Sequence, residues 1–192
     1  RGMSSAASDV YKRQVDICSK VEDEIKTTVS PANLNSPRQI VISGTSEGVD
    51  AVINRLKDCG HKKSIKLKVS VAAHSKLMTN TLDQFRNELN KISFSSPEYP
   101  IIQNVDNKIA KNIDNLKENL LNQLVMPVQW INTMRLIKKY DGIVIECGPN
   151  NVLSGIAKAN GIANVYSTSS EDFFDKIKAV SYTHLTLPTT YH

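Results

Sequence analysis

Cysteine and long apolar runs are both scarce in this chain. The three cysteines, Cys18, Cys59 and Cys147, are odd in number, far apart and in no metal-like spacing, which argues against a disulfide framework and against a zinc site. No apolar run approaches the roughly 20 residues that a membrane-spanning helix needs. The first residues also lack the apolar segment of a secretion signal. We therefore expect a protein without a metal that works in the cytoplasm, away from membranes.

A strong charge of one sign is also missing. The 24 lysine and arginine residues exceed the 19 aspartate and glutamate residues by five, an excess too small to indicate a nucleic-acid partner. Hydrophobic residues make up 40% of the 192 positions. The chain is therefore long and apolar enough to bury a core in one domain or in two small subdomains.

The two ends of the chain differ in character from the rest. Residues 4–14 (SSAASDVYKRQ) can be back-translated into a DNA string whose reverse complement, in another frame, encodes VSYTHLTLPT, the sequence of residues 180–189. This match is too long for chance, and the string resembles a sequencing-library adaptor. We expect residues 1–14 and 180–192 to be translated adaptor, and the native chain to span residues 15–179.

Residues 15–70 predict a small unit of helices and strands. Apolar residues four apart predict a helix over 16–28, and the alternation of Ile65, Leu67 and Val69 with lysines predicts a strand with one buried face. Between them the patterns predict an extended segment, a strand and a helix, at 29–37, 39–43 and 46–59. The order helix, strand, strand, helix, strand is that of a ferredoxin-like unit without its first strand.

Residues 71–179 predict longer helices and a parallel sheet. An alternating run reaches His74, and the three- and four-residue spacing of apolar residues after it predicts a helix over 75–91. Pro127 is predicted to open a helix, because proline is tolerated in a first turn. The apolar run at 142–147 predicts a strand covered on both faces. Further strands are predicted at 100–106 and 163–167, and further helices at 113–124, 152–159 and 171–179. Alternation of strands and helices indicates an α/β fold.

One short motif suggests a nucleophile. Gly44-Thr45-Ser46-Glu47-Gly48 fits the G-x-S-x-G pattern of a serine elbow and lies between a predicted strand and a predicted helix. An elbow helix packs in the centre of its fold, whereas this helix has one apolar stripe and an opposite face of charged residues. We therefore expect that Ser46 is not the nucleophile, and a hydrogen bond between Ser46 and His74 would refute this.

Five blocks of the sequence are specific when taken together: VSPANLNSPRQIVISG, VSVAAHSKLM, IIQNVDN, NQLVMPVQW and ECGPNNVLSGIAK. In this order they resemble the C-terminal half of the malonyl-CoA:acyl-carrier-protein transacylases, bacterial fatty-acid enzymes related to polyketide acyltransferase domains. The resemblance implies a partial α/β-hydrolase-like subdomain over 71–179 and an incomplete ferredoxin-like subdomain over 15–70. It also implies transfer of malonyl from coenzyme A to the phosphopantetheine thiol of acyl carrier protein through a seryl intermediate, without a cofactor.

The resemblance assigns roles to four residues. His74 matches the catalytic histidine, which would be general base toward the serine and general acid toward the leaving thiol. Gln123 matches the position whose main-chain carbonyl orients that histidine. Ala73 and Asn104 are predicted to contact substrate. By chemistry alone, a lone histidine at a strand-to-helix junction is more often a cap or surface residue. Gln123 can equally be a polar helix-end residue, and Asn104 can simply fix the end of a strand.

The remaining machinery of the family is missing from these blocks. Its serine elbow, its arginine for the malonyl carboxylate and its oxyanion glutamine precede them, so we expect this fragment to be inactive alone. The expected partners are malonyl-CoA and acyl carrier protein, with no nucleic acid and no membrane, and the full-length enzyme is expected to be a monomer. Two alternatives stay open: an acyltransferase domain of a polyketide synthase, distinguished by flanking domains, and a non-catalytic binding module.

The adaptor origin of the chain ends can be checked on DNA. If it is correct, the source nucleotide sequence will carry one string over the codons of residues 4–14 and its reverse complement over those of residues 180–189. Codons that depart from that string at either end would contradict the prediction.

Overall fold

The computed structural model describes residues 3–61, 63–140 and 142–185. The chain forms two compact units, Arg1–Ile137 and Lys138–His192. Both units combine helices with short strands, which confirms the predicted α/β class. The predicted boundary at residue 70 lies inside the first unit, and the division into 15–70 and 71–179 stays a prediction.

The first unit begins with a helix, a hairpin and a second helix. These are α1 (Met3–Ile25), β1 (Val29–Ser36), β2 (Gln39–Gly44) and α2 (Ser46–Asp58). β1 and β2 pair antiparallel, with irregular register between Pro31 and Asn33 and between Leu34 and Ser36. The helices bury their apolar stripes against β1 in a core of Ile17, Cys18, Val21, Val29, Val52 and Leu56. Burial raises the pKa of the Cys18 thiol to about 12, so this cysteine acts as an inert core residue.

The strand predicted at 65–69 is wrong. Ile65 and Val69 are 82% and 72% exposed, and residues 63–69 have no strand pairing within the described part of the chain. A strand needs a hydrogen-bonded neighbour to bury one of its faces, and the two-stranded β1–β2 sheet does not reach this segment. The alternating pattern is present in the sequence, but a strand also needs a neighbouring strand, and a local pattern does not supply one.

The regular elements in the rest of the first unit are helices. It contains a 3-10 helix (Lys76–Thr81), α3 (Leu82–Lys91), α4 (Ile113–Val125) and α5 (Trp130–Ile137). The helix predicted over 75–91 is thus α-helical only from Leu82. The hydroxyls of Thr79 and Thr81 donate to the carbonyls of Lys76 and Met78, three residues back, at 2.6 and 2.7 Å, which favours the tighter turn.

Two further predictions in this unit are wrong. The strand predicted at 100–106 is reduced to a single bridge between Ile102 and Ile109, because its polar side chains bond to α4 instead of alternating across a sheet. Pro127 does not open α5, which begins at Trp130. The chain after Pro127 first bridges to β1 through Val128 and Asn33.

The second unit is a strand, helix, strand, helix sequence: β3 (Val144–Glu146), α6 (Val152–Ala159), β4 (Val165–Ser167) and α7 (Phe173–Leu185). β3 and β4 pair in parallel, which confirms the predicted parallel arrangement. Ile145 is 42% exposed, so the expectation that β3 is covered on both faces is wrong. Within the described residues of this unit, β4 is the only strand that pairs with β3, and two strands do not make a covered sheet.

Glu146 joins β3 to α6. Its carboxylate oxygens accept the backbone N–H groups of Leu153 and Ser154 at 2.9 and 2.7 Å, which are donors that the first turn of a helix leaves unpaired. Burial raises the pKa of the Glu146 carboxyl, but the Ser154 side chain and these two N–H groups together lower it by more. Glu146 therefore stays ionised and fixes the start of α6.

The described residues contain neither a membrane span nor a metal-binding cluster. No helix there combines the length and the apolar character needed to cross a bilayer. Over the same ranges no three His, Cys, Asp or Glu side chains are grouped so as to hold a metal ion, and the three cysteines are free thiols.

The expected adaptor segments lie partly in helices. Residues 3–14 belong to α1 and residues 180–185 to α7, while residues 1, 2 and 186–192 lie outside the described residues. Helical backbone carries no information on the origin of a residue, so the adaptor origin stays a prediction.

Substitution of Gly44 by alanine is expected to destabilise the first unit by about 1–3 kcal/mol, the usual cost of overpacking. A Cβ at this position would collide with the carbonyl oxygen of Thr28 and lie 2.7 Å from Cα of Val29, both backbone atoms. Urea unfolding followed by the fluorescence of Trp130, the single tryptophan, measures the effect. The matched control is Gly155→Ala, whose added methyl group meets no atom within 4 Å; followed by circular dichroism, it should not lower the unfolding midpoint, because alanine also favours the helix more than glycine does. Equal midpoints for Gly44→Ala and the parent chain would contradict the packing argument.

Glu146→Gln is expected to destabilise α6 at neutral pH and not in acid. Because the folded-state pKa lies below the ordinary value of 4.5, the carboxylate contributes stability above pH 4.5, and this contribution is lost as pH falls through the folded-state pKa. Amide hydrogen exchange of α6, measured at pH 7 and near pH 3, tests this. At pH 7 these amides should exchange more slowly in the parent chain than in the variant. Near pH 3 the two should exchange at similar rates. A difference that persists unchanged in acid would show that charge is not the cause.

Candidate active site

His74 stands in a strained backbone conformation. Its φ is +59°, the left-handed region that costs a non-glycine residue free energy and that is found at functional sites when the surroundings enforce it. Ser75 supplies that enforcement. Its side chain is fully buried, and its hydroxyl donates to the carbonyl of Ala72 at 2.7 Å and accepts from the N–H of Leu77 at 3.3 Å. The chain is thus fixed on both sides of the histidine.

The imidazole of His74 is oriented by Gln123. Its Nδ1 lies 2.6 Å from the main-chain carbonyl oxygen of Gln123. A carbonyl oxygen only accepts hydrogen bonds, so Nδ1 carries the proton, and in the neutral ring the lone pair is on Nε2. No hydrogen bond from a described residue reaches Nε2. The ring is half-buried and is arranged to accept a proton at Nε2.

Asn104 contacts Gln123 from the other side. Its side-chain Nδ2 donates to Oε1 of Gln123 at 3.3 Å, and its main-chain carbonyl accepts the N–H of Gln129 at 2.9 Å. The predicted substrate residue therefore lies beside the predicted orienting residue. Ala73, the other predicted substrate residue, precedes His74 and is exposed. The structure thus brings His74, Gln123 and Asn104 together, and their roles stay predictions.

A buried polar cluster fixes the loop that carries Asn104. Nδ2 of Asn119, on α4, donates to Oε1 of Gln103 at 2.9 Å and to Oδ2 of Asp106 at 3.0 Å. Nε2 of Gln103 donates to the carbonyl of Leu116 at 3.0 Å. Satisfied polar groups of this kind specify one arrangement of the chains that they join. The cluster therefore holds the loop at 103–106 against α4, the helix that carries Gln123.

Sequence reasoning did not identify Ser75 or this cluster. The signal for Ser75 was present, since a serine before a helical run is a common N-cap, and Ser75 caps the 3-10 helix. The cluster has no comparable signal, because Asn119 lies 16 residues from Gln103 and 13 from Asp106 in sequence, and only the folded loop joins them.

Ser46 does not form a nucleophile elbow. The N-cap of α2 is Thr45, whose hydroxyl accepts the N–H of Gly48 at 3.1 Å, and no hydrogen bond joins Ser46 to His74 among the described residues. Ser46 also lacks the strained backbone of an elbow serine, because its φ is not positive. Gly44 and Gly48 are small for another reason: a Cβ at either would press on Thr28 and Val29. The motif therefore reflects close packing of α2 on β1.

The second unit holds a cleft of about 280 Å³. Its walls come from α6, β4 and the start of α7 and include Ser154, Lys158, Tyr166 and Lys176. None of the four predicted site residues lines it. The histidine and the main-chain carbonyl that orients it therefore lie in the first unit, away from this cleft.

Comparisons with known proteins show the family of this chain. The family model described as acyl transferase domain matches residues 6–166. The malonyl CoA-acyl carrier protein transacylase of Escherichia coli K12 is 39% identical over 132 residues, which cover 68% of this chain and 42% of that protein.

Solved structures give the same result. The malonyl CoA-acyl carrier protein transacylase of Coxiella burnetii superposes with a TM-score of 0.80 at 34% identity, over 87% of this chain and 53% of that one. A malonyl-transacylase in complex with a type II polyketide acyl-carrier protein superposes with a TM-score of 0.75 at 32% identity, over 88% of this chain and 54% of that one. The chain spans about half the length of the relatives that it matches. Because the family model covers most of its residues, this chain belongs to the acyl transferase family.

Proposed function

We propose that this chain supplies the proton-transfer half of a malonyl-CoA:acyl-carrier-protein transacylase site, with His74 as the base. The observation that carries the proposal is the 2.6 Å contact from Nδ1 of His74 to the carbonyl of Gln123. It leaves Nε2 as the only ring nitrogen that can accept a proton, and it replaces the aspartate that orients histidine in other triads. The positive φ of His74 supports a functional role, because strained backbone conformations cluster at active sites.

The proposed reaction has two halves. In the first, Nε2 of His74 takes the proton from a serine hydroxyl as its oxygen bonds to the malonyl thioester carbon; the C–S bond then breaks, and Nε2 returns the proton to the coenzyme A sulfur. In the second, the phosphopantetheine thiol gives its proton to Nε2 and attacks the seryl ester, and the serine oxygen leaves with the proton. No cofactor takes part in either half.

The serine itself is expected in another segment. The 192 residues contain no G-H-S-x-G sequence, and Ser46 is not placed to react with His74. The arginine that would pair with the free malonyl carboxylate is likewise expected in another segment. The chain as given is therefore proposed to be inactive alone.

The substrates are proposed from the names of the relatives. Those names specify malonyl CoA and acyl carrier protein, and one neighbour was solved with an acyl-carrier protein bound. Ala73 is proposed to contact substrate, and its small side chain beside His74 leaves room for the acyl group. Asn104 is also proposed to contact substrate, because its side chain is bonded to that of Gln123. We retain the monomeric, cytoplasmic enzyme as part of the proposal; the free thiols fit a reducing compartment.

The finer fold description belongs to the same proposal. The order α1, β1, β2, α2 supports an incomplete ferredoxin-like subdomain over 15–70. The parallel β3–α6–β4 unit supports an α/β-hydrolase-like subdomain over 71–179. The sheets are small in both cases, so the assignment depends on element order rather than on a complete sheet.

A chimera tests the proposal. Residues 15–179 would replace the matching C-terminal segment of the Escherichia coli relative, and malonyl transfer from malonyl-CoA to holo acyl carrier protein would be measured. His74→Ala is expected to lower kcat by about 10²- to 10⁴-fold, the range for loss of a general base, with little change in KM.

The matched control is His61→Ala, which removes a histidine outside the site and should leave kcat unchanged. The isolated chain should give no transfer. If His74→Ala retained more than a tenth of the activity in a folded chimera, the assignment of His74 as base would be wrong.

A further inference from the structure

The main-chain carbonyl of Gln123, which orients His74, accepts no backbone N–H from the end of α4, and the sequence explains why. In an α-helix each carbonyl accepts the N–H of the fourth following residue, and α4 closes with the N–H of Met126 on the carbonyl of Asn122 at 2.8 Å. The next bond in the series would run to the carbonyl of Gln123 from residue 127. That residue is Pro127, which has no N–H.

The following donors are used elsewhere. The N–H of Val128 donates to the carbonyl of Ala32 at 2.8 Å, and the N–H of Gln129 donates to the carbonyl of Asn104 at 2.9 Å. Each backbone donor from residue 126 to residue 129 is therefore either missing or bound to an atom other than the oxygen of Gln123. That oxygen is the one that contacts Nδ1 of His74.

Pro127 also sets the direction of the chain. Met126 has φ −115° and ψ 153°, the extended conformation that a following proline imposes because its ring collides with a helical neighbour. The extended residue ends α4 after Val125 and turns the backbone toward β1. A helix that ran one residue further would place an N–H against the carbonyl of Gln123.

We propose that Pro127 is a positioning residue that keeps the Gln123 carbonyl available to His74 alone. Other residues can end a helix, but only proline does so and also removes the competing donor. The consequence for catalysis rests on the proposed function. The consequence for the imidazole does not, because the hydrogen bond to Gln123 decides which ring nitrogen carries the proton.

Two substitutions that differ by a single N–H test the proposal. Pro127→Ala introduces a donor that competes for the carbonyl of Gln123. Pro127→lactic acid, introduced by nonsense suppression, gives an ester of the same side chain without that donor. Side-chain ¹⁵N chemical shifts of His74 in the full chain report the tautomer, with the resonance assigned by its loss in His74→Gln; the four histidines keep the spectrum simple.

The parent chain and the lactic acid variant should both show His74 protonated at Nδ1. Pro127→Ala should show a mixture of tautomers. An unchanged tautomer in a folded Pro127→Ala, or the same mixture in both variants, would overturn the proposal. Should Pro127→Ala not fold, the lactic acid variant decides alone, since loss of the Nδ1 proton there would show that the proline ring, not the missing donor, is what matters.

The same variants in the chimera separate this inference from the proposed function. Pro127→Ala should lower kcat about three- to tenfold with KM unchanged, because a competing hydrogen bond of ordinary strength weakens the orientation of the ring, and the lactic acid variant should restore it. Native tautomers in a chimera without transferase activity would refute the proposed function and leave the role of Pro127 intact.

Discussion

The hydrogen bond from Nδ1 of His74 to the main-chain oxygen of Gln123 is the constraint on which the site depends. It joins a loop that would otherwise be free to the end of a helix, and it makes one ring nitrogen a donor and the other an acceptor. Because the acceptor is a backbone atom, the orienting group carries no charge and cannot be removed by changing a side chain. The position of α4, rather than the identity of any residue on it, therefore sets the chemistry.

Several features of the first unit serve to fix that position. The Gln103–Asp106–Asn119 cluster ties a loop to α4, and the bridge from Val128 to β1 holds the chain that leaves it. The hydrogen bonds of Ser75 hold His74 in the left-handed backbone conformation, which is unfavourable for a non-glycine residue. Such strain persists only where neighbouring contacts over-determine it, and here the contacts come from both sides of the residue.

The sequence predicted what local patterns control and failed where partners decide. The helices α2, α4 and α6 appear close to their predicted bounds because their apolar spacing and caps are local signals. The strand at 65–69 failed because a strand exists only with a neighbour. His74 and Gln123 were found through resemblance, and the structure places them together. The buried cluster could not be predicted, because residues 16 positions apart, Gln103 and Asn119, meet only after the loop folds.

The exposed run from Ile65 to Val71 has a consequence for handling the molecule. It combines β-branched and apolar side chains with a backbone that pairs with no described strand, which is the description of an edge that recruits other chains. The alternating lysines act as gatekeepers by mutual repulsion, although Lys66 is partly neutralised by Asp50 at 2.8 Å. Salt screens that repulsion, so concentrated samples in high salt favour self-association, and dilute samples at low ionic strength keep the chains apart.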